Sequence, residues 1–161
     1  MYDLVILNAS IINSIDSMDL NIGIKDGKVA SFFRGMEFES KQIIDAAGKI
    51  ILPGFVDMHF HSRVPGNTKR EDFDTGTMAA ARGGVTTLVE MPICSISPNS
   101  VENFNIRKEY CEERAVIDFG LYGAGATKNP NTAKELADAG ALGFKIFLHK
   151  APLGRESEFA D

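Results

Sequence analysis

Between residues 55 and 148, four apolar runs rich in β-branched and aromatic residues alternate with three stretches of helical character. That rhythm limits the folds open to the chain more than any other feature. The runs are Phe55–Phe60, 85–91, 116–122 and 141–148, and the helical stretches are 74–82, 100–114 and 131–139. Asp74 or Thr75 is placed to cap the first helix and Gly83-Gly84 to stop it. The second helix lines up Val101, Phe104, Lys108 and Cys111 on one side, and Gly140 ends the third. Strands joined by helical crossovers run parallel, so the choice is an open doubly wound sheet or a closed eight-stranded barrel. A barrel needs about 250 residues, far more than 53–161 supply, so the sheet is either open or the first half of a barrel.

The first third follows another pattern. Short β segments at 3–12, 22–33 and 42–52 turn at Asp26-Gly27 and Ala47-Gly48, which predicts a small, mostly antiparallel unit over 1–52. The boundary falls at Pro53-Gly54, and 53–161 form the second unit. No internal repeat is present, and Gly120-x-x-Gly123-x-Gly125 has the wrong spacing for a dinucleotide loop.

Composition narrows the partners. A net charge of -5 over 161 residues lacks the basic footprint of a nucleic-acid binder. No apolar run reaches the ~18 residues of a membrane span, and Asp3, Asn8, Asn13 and Asp16 interrupt any signal segment, so a cytoplasmic protein without membrane contact is expected. Cys94 and Cys111 have no C-x-x-C spacing and are expected as reduced thiols without a nucleophilic role.

Two anomalies carry chemistry. In Asp57-Met58-His59-Phe60-His61, the period-two alternation of a strand sends Asp57, His59 and His61 to one face, at the carboxyl end where ligand pockets of α/β folds lie. Two imidazoles there can grip one ion, or can simply be polar residues ending a strand. Lys145 interrupts the apolar run 141–148, where a buried ammonium tends to lose its proton unless paired. A neutral amine reacts with carbon dioxide to give a carbamate, an anionic ligand that can bridge two ions. The alternative is a lysine that snorkels to the sheet edge. The acids of Glu71-Asp72-x-Asp74 read as a capped first helical turn better than as a general base.

Pro53-Gly54-Phe55-Val56-Asp57-Met58-His59-Phe60-His61, Pro65-Gly66, Glu71-Asp72-Phe73-Asp74-Thr75-Gly76-Thr77, Ala79 to Thr87, Met91-Pro92 and Gly143-Phe144-Lys145-Ile146-Phe147-Leu148 together resemble the cyclic amidohydrolases: allantoinase, dihydroorotase and the hydantoinase/dihydropyrimidinase group. The resemblance implies an α/β fold, the first half of a (β/α)8 TIM-type barrel preceded by a small β-sandwich segment. It implies a hydrolase of C–N bonds in cyclic amides with two divalent ions, usually zinc, with manganese, cobalt or iron as alternatives. His59 and His61 would ligate one ion, Lys145 as its carbamate would bridge both, and Asp57 would support the ligands from behind. An activated hydroxide would attack the ring amide of a small cyclic amide or ureide, with Arg63 pairing the substrate. Arg63 can also be an exposed loop arginine.

Part of the family pattern is missing. Two more histidines and a proton-relaying aspartate would follow in later strands, so the general base is expected beyond residue 161 and no catalytic acid or base is assigned within the chain. His149 sits too close to Lys145 to replace a later ligand. The chain alone is expected to be an inactive N-terminal part. Ile93 and Cys94 stand where dihydroorotases and allantoinases carry asparagine, and Lys150 where hydantoinases carry tyrosine. The order of likeness is allantoinase, then dihydroorotase, then hydantoinase, with a non-catalytic scaffold as the reading of another class. Open strand edges favour a homo-oligomer.

Overall fold

The structure is a computed structural model that describes residues 1–125 and 131–147. The chain divides into two compact units, Met1–Pro53 and Gly54–Asp161. No helix among the described residues is long and apolar enough to cross a membrane.

The first unit holds β1 (Tyr2–Ile12), β2 (Ser17–Lys25), β3 (Lys28–Phe33), β4 (Ser40–Asp45) and β5 (Ile50–Ile51). Asp26 and Gly27 take φ of 52° and 71°, the pair of positive values a two-residue hairpin turn needs, and Lys25 faces Lys28 across it. Ala47 and Gly48 also take positive φ, yet they make no hairpin. Both β4 and β5 run parallel to β1, which corrects the expectation of a hairpin there, while the longer ladders β1–β2 and β2–β3 are antiparallel. Between the β4 and β5 pairings, β1 is kinked at Asn8, whose φ is 54° and whose N–H turns to Asn21 Oδ1. The chain detours around that kink: Ala46 N–H donates to Leu7 O, Gly48 N–H to Asn8 O, and Ser10 N–H to Lys49 O. One five-stranded sheet results, and the second layer of a sandwich is not found among the described residues. Its buried centre is Ala9, Ile11, Ile22 and Ala46.

The second unit alternates β6 (Phe55–Phe60), α1 (Phe73–Arg82), β7 (Val85–Glu90), α2 (Val101–Glu112), β8 (Asp118–Ala124), α3 (Asn131–Asp138) and β9 (Gly143–Lys145). The four strands pair in parallel in the order β6-β7-β8-β9. An order that never doubles back is that of consecutive barrel staves, whereas a doubly wound sheet reverses at a switch point. Val64, Phe73, Leu88, Phe104, Cys111, Leu121 and Leu136 make the core, and Phe73 meets Phe119 edge to face at 5.2 Å. Burying each large side chain contributes about 1.5–3 kcal/mol over leaving it exposed.

Local boundaries move for identifiable reasons. α1 starts one residue early because Asp72 is the cap: its side chain accepts from Phe73 N–H at 2.7 Å, and Thr75 closes the box on the Asp72 backbone. Thr75 Oγ1 also donates to the Glu71 carboxylate, so Glu71, Asp72 and Asp74 are engaged at the helix start. β8 begins at Asp118 instead of 116 because Val116 N–H is drawn to Thr77 Oγ1 on α1. Within the described part of the expected strand 141–148, β9 spans Gly143–Lys145, and Ala141 N–H donates to Leu136 O on α3. The buried stripe of α2 keeps Phe104 and Cys111 of the predicted set and adds Arg107, while Lys108 lies at the surface 4.0 Å from Glu112.

Candidate metal centre

Strand alternation along β6 brings the two histidines together. His59 Nε2 and His61 Nε2 are 3.2 Å apart, with ring planes inclined at 53°. The β6–β7 ladder is irregular between Asp57 and Phe60 and ends where Met91 N–H donates to Phe60 O, so both imidazoles sit at the strand's carboxyl end. Asp57, half-buried, accepts from the backbone N–H of His59 at 2.9 Å and so braces that residue through its main chain.

His61 is held below its ordinary pKa by burial first, then by the positive charge of His59, Arg63, Lys145 and Arg107. Arg63 and Lys145 therefore lie within electrostatic reach of its ring. A neutral imidazole keeps a lone pair for a cation. His61 Nδ1 is buried without a hydrogen-bond partner, and Nε2 is the ring nitrogen that faces His59.

These residues fit a metal ion. Two nitrogens bound to one tetrahedral zinc at about 2.0–2.1 Å stand roughly 3.3 Å apart, close to the observed separation. Among the described residues no group of three or more His, Cys, Asp and Glu side chains assembles, so the imidazole pair needs further oxygen donors to complete a site. Lys145 closes β9 opposite Ala124 of β8, half-buried, with Nζ 4.9 Å from the centroid of the Phe147 ring. It is thus less enclosed than a strand covered on both faces implies. Leu148, His149 and Lys150 lie outside the described residues.

Sequence reasoning missed the buried pair beside the site. Glu90 at the end of β7 and Arg107 on α2 are both fully buried, with Arg107 Nη2 donating to Glu90 Oε1 at 2.9 Å. Glu90 also accepts from Ser62 N–H and Arg63 N–H, the two residues that follow His61. Burial pushes its carboxyl up, against the opposing pull of Arg107 and those amides. The available signals were an acid inside the apolar run 85–91 and an arginine at helical spacing between Phe104 and Cys111.

The fold and site define an α/β protein with a parallel sheet in barrel order and paired imidazoles at the sheet's carboxyl end, and comparison with known proteins gives the family. Residues 48–147 match the family described as dihydro-orotase-like, and the chain belongs to that family. It is 34% identical to an allantoinase of Salmonella choleraesuis (strain SC-B67), over 99% of this chain and 36% of that protein. Its identity to an allantoinase of Bacillus velezensis is 33%, over 93% of this chain and 33% of that protein. Among solved structures, L-hydantoinase from Arthrobacter aurescens superposes with a TM-score of 0.89 at 34% identity, over 96% of this chain and 35% of that one. The chain thus spans about a third of the length of these relatives.

Proposed function

We propose that this chain supplies the opening part of the metal centre of a ring-opening cyclic amidohydrolase, with cyclic ureides of the allantoin type as first substrate and dihydroorotate or hydantoins as alternatives. The relatives' names support the class, and the approach of His59 Nε2 to His61 Nε2 is the observation that carries it. In this reading both imidazoles hold one of two divalent ions, zinc before manganese, cobalt or iron. Lys145 would supply an anionic oxygen donor to them as its carbamate, the amine adding to carbon dioxide with loss of one proton. Such ions, when bound, polarise a carbonyl and make water nucleophilic near neutral pH.

The chain's own residues do the rest. Asp57 fixes the main chain of His59, and Arg63 presents a planar fork to the anionic or carbonyl edge of the substrate. The four parallel strands form the first half of an eight-stranded barrel in a protein of the relatives' length, and later strands bring the remaining ligands and the aspartate that relays the proton. This chain alone is then inactive. Partners are the substrate and further copies of the protein, and the cytoplasm, where thiols stay reduced, suits Cys94 and Cys111.

The deciding experiment uses a protein of the relatives' length, loaded with zinc, on allantoin, dihydroorotate and hydantoin. Ring opening is expected, with the highest kcat/KM for allantoin. No turnover of any of the three overturns the reading.

A further inference from the structure

Nearly every polar group that pins the segment after His61 comes from one buried ion pair. Glu90 Oε1 and Oε2 accept from Ser62 N–H at 3.1 and 3.0 Å, and Oε1 accepts from Arg63 N–H at 3.2 Å. Arg107 donates through Nε to Val64 O at 3.0 Å and through Nη2 to Met91 O as well as to Glu90. The pair thus ties 62, 63 and 64 to the end of β7 and to α2, although neither side chain reaches solvent. Arg63 is held with φ of 66°, a left-handed backbone that a long side chain rarely adopts without outside support.

We infer that Glu90 and Arg107 are positioning residues, which set the His61 ring and the Arg63 side chain toward the same end of the sheet. A buried ion pair is costly to desolvate and commonly gains nothing in stability over packed hydrocarbon, so stability alone does not account for it. What hydrocarbon cannot do is accept two adjacent backbone N–H groups while donating to the carbonyls on either side. The inference rests on the proposed metal reading only for the purpose of the placement; the tethering itself is independent of it.

The test is the double variant Glu90→Leu/Arg107→Met, which removes both charges and leaves no unpaired ion, compared with wild type by amide hydrogen exchange, thermal unfolding and zinc titration. A purely structural pair predicts a lower Tm and faster exchange at Ser62 and Arg63, whose N–H groups lose their acceptor, with zinc affinity unchanged. Positioning predicts, beyond exchange at Ser62 and Arg63 faster by about 100-fold, zinc bound about tenfold more weakly. Wild-type exchange at both amides, or wild-type zinc affinity, in the folded double variant overturns the inference. If the double variant does not fold, Glu90→Asp replaces it: the charge beside Arg107 remains, but the carboxylate draws back by one methylene. Accelerated exchange at Ser62 and Arg63 together with weaker zinc binding then supports the inference, and unchanged exchange or unchanged zinc affinity overturns it. Should wild type take up no zinc, the metal reading fails while the exchange data still decide the tethering.

Discussion

Gly76 on α1 lies so close to Phe60 at the end of β6 that a Cβ built on it falls 2.8 Å from the ring's Cζ. The helix is seated on the strand end that carries His59 and His61, and only a hydrogen at this position lets it sit there.

Gly76→Ala is therefore expected to destabilise the protein in spite of alanine's better helix propensity. The propensity gain is about 1 kcal/mol, whereas overpacking costs typically 1–3 kcal/mol, and the partly buried Phe60 packs against the core. Urea unfolding should show a loss of about 1 kcal/mol. A gain would mean that the ring yields.

The paired imidazoles predict a shared ion. His59→Ala and His61→Ala should each weaken zinc binding on the order of 100-fold, and the double variant should do little more, because one nitrogen alone does not make a site. Isothermal titration reads this directly. Additive losses would indicate two independent weak sites.

Asp72 serves two partners, accepting from Phe73 N–H and from Tyr110 Oη at 2.8 Å. Asp72→Ala should cost about 1 kcal/mol for the cap and roughly as much again for the stranded phenol. Asp72→Asn, which can still cap, should recover at least half of the loss in thermal unfolding.

Cys111 is fully buried on α2, and burial pushes its thiol up from 9.0 to about 12. The unfolded chain gives up this proton near 9 while the folded chain keeps it, so this group's contribution to stability is whole below about 9 and falls as pH rises toward 12. The slope is at most about 1.4 kcal/mol per pH unit. Comparing wild type with Cys111→Ala across pH 8 to 11 isolates it: the variant's stability should fall less steeply. Parallel curves would show that the thiol does not titrate in this range.

The alternation of strands and helices from Phe55 onward was legible because it depends on spacing within a few residues: glycines that stop helices, carboxylates that start them, and apolar runs of strand length. The facing of His59 and His61 was legible for the same reason, since a strand's period of two is local. The start of α1 differs by a residue because Asp72, which also accepts from Tyr110, caps the helix in place of Asp74 or Thr75. Other features depend on what a distant segment does. Whether 42–52 folds back or runs on is decided by its pairing with β1 on both sides of Asn8, which nothing within 42–52 encodes.

The pattern of residues thus determined by itself the kinds of element, their sequence along the chain and the pair of imidazoles at one strand end. Tertiary structure alone decided which strands run parallel in the first unit and which buried groups hold the segment after His61. Glu90 finds its guanidinium 17 residues away and its amides 27 and 28 residues away, and only the crossing of α2 over the sheet brings them together. Backbone preferences act over a turn or two, whereas the pairing of a buried charge is set by whatever the packed chain leaves beside it.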